Sequence, residues 1–222
     1  MEPLARLKHL TQEVWPTQYP GLPFIWNREL DPYVEDPARL ARLRWIICSD
    51  NPGVEEAKFG RFLAPTGRSG KEARKAIAQA GLNWDEQVIV LNKSILHTPK
   101  TVDLKALPAE VVRATEEALA QVILDLLAQT EAKLWIVGFG GCDAKEPGWP
   151  RTLAGKERYP ASCITPHFYA ALRDGGARFK ERIFISKHFS HGQFAIEMKQ
   201  FPADWSLDER LAALPHAKNL FA

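Results

Sequence analysis

Four short apolar runs constrain the fold of this chain more than any other feature of its sequence. They are rich in Ile, Val and Trp, each is too short for a helix, and they cover residues 45–48, 88–91, 134–137 and 183–185. Continuous apolar runs of this length are typical of strands that are buried on both faces, as in parallel sheets. We therefore predict four strands at the centre of the molecule.

Helical patterns separate these runs. A Ser-x-x-Glu sequence resembles a capping box and predicts that one helix begins at Ser69, with Gly81 placed to end it. Apolar residues at helical spacing predict a second helix, and two consecutive glycines predict the end of a third. The predicted helices cover residues 69–80, 108–129 and 165 or 166 to 174. Strand–helix–strand order predicts a three-layer α/β/α fold around a four-stranded parallel sheet.

The remaining segments are predicted to complete a single domain. A length of 222 residues suits one large core better than two. Residues 1–40 are expected to form a helix and a Pro-rich loop, and residues 203–222 a closing helix. Residues 139–164 mix Gly, Pro and charge, which is compatible with an insertion loop near a site or with a surface excursion.

Composition excludes several classes of protein. A formal net charge of +2 gives no bulk signal for nucleic-acid binding, so any such signal must be local. The three cysteines cannot supply a four-thiolate cluster. The first ten residues carry charges and no apolar stretch typical of a signal peptide, and no run reaches membrane-spanning length. We expect a cytoplasmic monomer without a membrane segment.

Polar residues follow each predicted strand, at the edge where open parallel sheets bind ligands. Taken singly, each has an ordinary structural role as a turn, a cap or a packed histidine. Together they predict one site at the carboxyl edge of the sheet. The segments are Ser-Asp-Asn-Pro-Gly at 49–53, Asn-Lys-Ser at 92–94, Gly-Phe-Gly-Gly at 138–141, and the stretch 186–194 that contains His188.

In this order the motifs resemble those of the uracil-DNA glycosylase superfamily. Segment 47–53 resembles its first motif, and segment 88–92 is similar to the strand that ends in its base-reading Asn. Segment 185–190 resembles the second motif, whose family form is His-Pro-Ser-Pro, and segment 60–67 resembles the loop that supplies a stacking aromatic. The resemblance spans about residues 44–200. It implies a monofunctional DNA glycosylase of base excision repair that removes uracil, or a related deaminated base, without a metal or other cofactor.

The resemblance also implies how the base is held. The base must leave the duplex before its glycosidic bond can be reached. Phe62 would stack on the flipped base, and Pro52 and Gly53 would help to bind it. Asn92 would read the base edge, because a side-chain amide offers a donor and an acceptor.

Catalysis is assigned by the same resemblance. His188 would donate a hydrogen bond to O2 of the departing base. Asn51 stands where the most active members carry a water-orienting Asp, and it is favoured here for positioning the water, with Asp50 in a supporting or substitute role. Adjacent residues in an extended segment point to different sides, so only one of the two is expected to face the bond.

Contacts to the DNA backbone would come from local positive charge and from the loop after the second motif. Residues 58–75 are rich in Lys and Arg, Ser190 could bond a phosphate, and Gln193 or Phe194 could fill the gap left by the flipped base. The predicted DNA-contacting residues are Arg68, Lys71, Lys93, Ser190, His191, Gln193 and Phe194.

Three alternatives remain open from the sequence. The chain could be a glycosylase for another lesion, or a nucleic-acid-binding protein of the same fold that has lost catalysis. It could also be an unrelated α/β enzyme acting on free nucleotides, which the absence of a Gly-rich phosphate loop disfavours.

Overall fold

A computed structural model describes residues 1–138, the backbone of 151–153 and 156–158, and residues 165–214 and 216–221. A four-stranded, all-parallel sheet lies at its centre, with strand order β2-β1-β3-β6, which confirms the predicted fold class. A separate antiparallel pair is formed by β4 and β5. The strands are β1 (Trp45–Ser49), β2 (Val88–Asn92), β3 (Lys133–Val137), β4 (Arg151–Leu153), β5 (Lys156–Arg158) and β6 (Ile183–Ser186).

Both faces of the central sheet are buried, as the apolar runs predict. In β1, Ile46 and Cys48 belong to one core, whereas Trp45 and Ile47 belong to the other. Helices α1, α2, α7 and α8 cover the first face, and α5, α9 and α10 cover the second. The helices are α1 (Pro3–His9), α2 (Trp15–Gln18), α3 (Asp31–Glu35), α4 (Val54–Phe59), α5 (Arg68–Gln79), α6 (Trp84–Gln87), α7 (Ala109–Gln129), α8 (Pro166–Gly176), α9 (Gln193–Met198), α10 (Leu207–Ala213) and α11 (His216–Leu220).

Three strands extend one residue beyond the apolar runs and end at Ser49, Asn92 and Ser186. These polar side chains are therefore held by the sheet itself rather than by a loop. The sheet thus fixes the positions of the residues that begin the candidate site.

The predicted capping box at Ser69 is wrong. Helix α5 begins at Arg68, its N-cap is Gly67, and no side chain caps it. Gly70 lies so close to the preceding loop that a Cβ atom there would be 2.0 Å from the carbonyl oxygen of Ala64. The loop thus packs on the first turn and sets where the helix begins. Gly81 does follow the helix, with φ of +73°.

The predicted end of α8 is also wrong, because Gly175 and Gly176 are both helical. A Cβ atom at Gly175 would lie 2.4 Å from Cδ1 of Leu124 in α7. Glycine is needed here for close packing between two helices, and not for termination.

The terminal segments are more helical than expected. Helices α1 and α2 are joined by a π-helical turn at Leu10–Val14, and two short helices, α10 and α11, replace the single predicted closing helix. Most of the predicted loop 139–164 lies outside the described residues. No helix in the described ranges is long and apolar enough to cross a membrane.

Candidate functional site

Ser49 and Asn92 end the neighbouring strands β1 and β2 and lie opposite each other in the parallel ladder. Because side chains alternate along a strand, both point to the α5 side of the sheet, where Ile47 and Val90 are buried. Asn92 is 0% exposed, and neither its amide nitrogen nor its amide oxygen has a partner among the described residues. Buried amides are nearly always paired, so this one is a candidate for ligand binding.

His188 reaches the same position from the segment after β6. Its Nε2 lies 3.3 Å from Ser49 Oγ, and its Nδ1 lies 2.8 Å from Ser190 Oγ. The backbone N–H of Ser190 donates to Nδ1 over 3.0 Å. A ring nitrogen that accepts a hydrogen bond carries no proton, so the neutral ring is protonated on Nε2. The Nε2–H group of His188 is therefore a hydrogen-bond donor beside Ser49. Ser49 in turn lies opposite Asn92 in the parallel ladder.

Asp50 and His188 approach each other at Gly138, the residue that follows β3. A Cβ atom at Gly138 would lie 3.2 Å from Cδ2 of His188 and 3.3 Å from Oδ2 of Asp50. The φ of Gly138 is +81°, a conformation that favours glycine. The carboxylate and the imidazole therefore border one small space at the carboxyl edge of the sheet.

Lys93 lies beneath this space, and the prediction that it contacts DNA is wrong. It is 0% exposed, and its ammonium lies 2.5 Å from Asp50 Oδ1 and 2.8 Å from the carbonyl oxygen of Gly138. Burial by itself lowers the pKa of Lys93, but the Asp50 carboxylate, aided by Tyr169, raises it above its ordinary value. A fully buried ammonium cannot reach a phosphate and instead forms an internal ion pair.

The geometry gives Asn51 a different role from the predicted one of orienting water. Its Nδ2 donates to Thr98 Oγ1 over 2.9 Å and lies 3.3 Å from the carbonyl oxygen of Leu96. Asn51 therefore fastens the loop after β1 to the loop after β2. As expected for adjacent residues, Asn51 and Asp50 point to different sides, and it is Asp50 that lies near His188.

Phe62 does not present the open stacking face that the sequence predicts. It is 2% exposed and belongs to the same core as Val90. Asn27 explains this position: its Nδ2 donates to the carbonyl of Val90, and its Oδ1 accepts from the Phe62 amide. This bridge draws Phe62 into the core on the side of the sheet to which Asn92 points.

Pro52 and Gly53 are fixed by hydrogen bonds of the loop. His97 Nδ1 lies 2.8 Å from the carbonyl oxygen of Pro52. Glu56 accepts from the amides of Gly53 and Leu63, at 3.0 and 2.6 Å. Burial raises the pKa of Glu56, although these two N–H donors oppose the change. The predicted contact of Pro52 and Gly53 with a base stays a prediction.

Three of the predicted DNA-contacting residues, Arg68, Lys71 and Gln193, are exposed. A Cβ atom at Gly192 would lie 3.8 Å from Nη2 of Arg68. The start of α5 therefore lies beside the loop that follows His188. Positive charge and the candidate site thus share one side of the molecule.

The structure does not support the other predicted contacts in this loop. Phe194 is buried, with its ring centroid 5.1 Å from those of both Trp135 and Phe189, so it cannot act as a wedge. The hydroxyl of Ser190 is directed at His188 rather than at solvent, which leaves it without a proton for a phosphate. The side chain of His191 lies outside the described residues.

Neither the protein-family models nor the curated proteins give a match to this chain. The resemblance to uracil-DNA glycosylases therefore depends on the motifs alone. Within the described ranges, no group of three or more His, Cys, Asp or Glu side chains could hold a metal ion. Burial raises the pKa of Cys48 to about 12, so this thiol is not activated as a nucleophile.

Sequence reasoning placed Ser49 and Gly138 in segments at this edge without giving either a role, and it missed Asn27. Ser49 contacts His188, Gly138 leaves space between His188 and Asp50, and Asn27 positions Phe62. A glycine directly after a buried strand was the only available signal, at Gly138. Nothing in the sequence distinguishes Ser49 or Asn27 from ordinary polar residues.

Proposed function

We propose that this chain is a monofunctional DNA glycosylase that hydrolyses the N-glycosidic bond of uracil, or of a related deaminated base, flipped out of DNA. The observation that carries the proposal is the Asn92 amide, which is fully buried and unpartnered among the described residues at the carboxyl edge of the sheet. Leaving a buried polar group unpaired costs about 1–3 kcal/mol. A bound base would supply the missing partners.

The chemistry of this amide suits uracil. Its nitrogen donates and its oxygen accepts, which matches the O4 acceptor and the N3–H donor of the uracil edge. Cytosine carries the opposite pattern, an amino donor and an unprotonated N3. Asn92 in a fixed orientation would accordingly favour uracil over cytosine.

His188 and Asp50 supply the remaining groups for hydrolysis. As the bond between C1′ and N1 breaks, its electron pair moves to the base, and Nε2–H of His188 donates to O2, where negative charge develops. The Asp50 carboxylate stabilises the positive sugar and accepts a proton from the water that adds to C1′. The base anion takes up a proton from solvent and Asp50 releases its proton to solvent, so the products are the free base and an abasic site.

The close contact of Ser49 and His188 does not favour a serine hydrolase. A nucleophilic serine needs a histidine nitrogen that accepts its proton. Nε2 faces Ser49, but Nδ1 accepts from the Ser190 amide, so Nε2 is the protonated nitrogen. Ser49 is therefore an acceptor for His188, and O2 of a bound base would replace it as the acceptor.

An excision assay tests the proposal. Single- and double-stranded oligonucleotides bearing uracil, hypoxanthine, xanthine or a thymine mismatch would be incubated with the chain and then cleaved by alkali at abasic sites. We expect cleavage at uracil, loss of cleavage with His188→Ala and Asp50→Asn, and full cleavage with His9→Ala, an exposed control on α1. Binding without cleavage of any substrate would support a nucleic-acid-binding protein instead.

A further inference from the structure

Lys93 makes a buried connection between the ends of three strands. It follows β2, its ammonium contacts Asp50 after β1, and it lies 3.4 and 2.8 Å from the carbonyl oxygens of Val137 and Gly138 at the end of β3. An ammonium has three N–H donors, and these three oxygens account for them. Lys93 is thus arranged as a fixed cation and not as a nucleophile.

The two members of this ion pair have different surroundings. The side chain of Lys93 is completely buried, whereas that of Asp50 is 21% exposed. A Cβ atom at Gly138 would lie 3.4 Å from Oδ1 of Asp50 and 3.3 Å from Oδ2, so both carboxylate oxygens border the space beside His188. Only Oδ1 accepts from Lys93. Lys93 therefore holds Asp50 from the protein side and leaves Oδ2 without this contact.

From this geometry we propose that Lys93 is a positioning residue, which holds the Asp50 carboxylate through Oδ1 and leaves Oδ2 for the attacking water. The inference rests on the proposed glycosylase function and adds a residue that does not touch the substrate. Without this cation the carboxylate would rotate away from the water, and the reaction would lose its base.

A double-mutant cycle tests this role. The variants are Asp50→Asn, Lys93→Met and both together, with single-turnover excision of uracil and the Kd for duplex DNA measured for each. Loss of a general base lowers the rate by about 10²–10⁴-fold. If Lys93 acts through Asp50, its removal lowers the native rate at least tenfold with unchanged Kd, and lowers the Asp50→Asn rate less than twofold.

Two further variants separate positioning from folding. Lys93→Gln keeps a donor for the strand-end carbonyls but removes the charge, and we expect it to lose activity like Lys93→Met while melting closer to the native chain. Lys133→Met is the matched control, since it removes the ion pair with Asp208 at the opposite edge of the sheet. It should leave the rate unchanged.

The outcomes distinguish this inference from the proposed function. If the native chain is active and the rate loss of the double variant equals the product of the two single losses, Lys93 does not act through Asp50. That result would leave the glycosylase proposal intact. Full activity in Lys93→Gln would lead to the same conclusion. A native chain that excises no base would overturn the proposed function, and the role of Lys93 with it.

Discussion

The backbone N–H of Ser190 donates to Nδ1 of His188 over 3.0 Å, and this contact fixes the proton of the neutral imidazole on Nε2. The donor belongs to the main chain, two residues after the histidine, so the tautomer is a property of the local fold. This arrangement lets a neutral histidine act as a hydrogen-bond donor.

The hydroxyl of Ser190 should contribute much less than its amide. Ser190→Ala removes the contact between Oγ and Nδ1 but keeps the N–H donor. A neutral hydrogen bond contributes about 0.5–1.5 kcal/mol, so we expect the excision rate to fall by about 2-fold to 13-fold. His188→Ala should reduce it by about 10²–10³-fold. If Ser190→Ala and His188→Ala lose equal activity in single-turnover measurements, the Ser190 amide is not what fixes the tautomer of His188.

The unpaired amide of Asn92 should make the site a source of instability. We expect Asn92→Leu to raise the free energy of unfolding by about 1–3 kcal/mol, because it removes two buried unpaired atoms, and to abolish excision. The matched control is Asn27→Leu, at an equally buried amide that is hydrogen-bonded to Val90 and Phe62. Urea unfolding should show the control to be destabilised. Destabilisation of both variants would argue against a ligand site at Asn92.

Arg68 and Lys71 should carry part of the electrostatic binding to DNA. Both are exposed at the start of α5. If each neutralises one phosphate, the double variant Arg68→Gln/Lys71→Gln lowers the slope of log K against log salt by about 1.8. Lys180→Gln, before the amino end of β6, is the control and should leave the slope unchanged. Fluorescence anisotropy at several salt concentrations measures this slope. An unaltered slope in the double variant would show that DNA does not bind at the start of α5.

Glu116 should make stability depend on pH. Burial raises its pKa from 4.5 to about 8, although the amides of Phe168 and His167 oppose the change. In the unfolded chain it ionises near its ordinary value, so the stability it contributes is present below about pH 4.5 and is lost as pH rises through about 8. Glu116→Gln cannot lose a proton. The Tm of the native chain should therefore fall relative to that of the variant between these pH values, and parallel Tm curves would contradict the shift.

Gly138 should be required for activity because of the space that it leaves, and not only because of its backbone conformation. Gly138→Ala places a methyl group 3.2 Å from His188 and 3.3 Å from Asp50, and it should reduce excision strongly. Gly81→Ala is the control, since its φ of +73° imposes similar strain with no atom within 4 Å of the added carbon. Both should lose about 1–2 kcal/mol of stability. Rate and urea measurements on both would separate the effects, and an active Gly138→Ala would show that the space is not used.

The sequence alone predicted the parts of this protein that depend on local pattern. Continuous apolar runs gave four strands buried on both faces, and the order of strands and helices gave the parallel sheet. The carboxyl edge of the sheet followed from topology, and so did the placement of polar residues there. Motif resemblance singled out Asn51, Asn92 and His188 within that edge, with Asp50 only as a supporting or substitute residue.

Only the tertiary structure decided where each of these side chains lies and what it contacts. Whether Asp50 or Asn51 faces His188 depends on Thr98 and Gly138, which are distant in sequence. The burial of Lys93, Phe62 and Phe194 likewise depends on neighbours from other strands and helices, because a lysine or phenylalanine has the same local pattern at a surface as in a core. Periodicity records which face of an element is apolar, but hydrogen-bond partners and exposure are set by contacts between elements, and these exist only after the chain has folded.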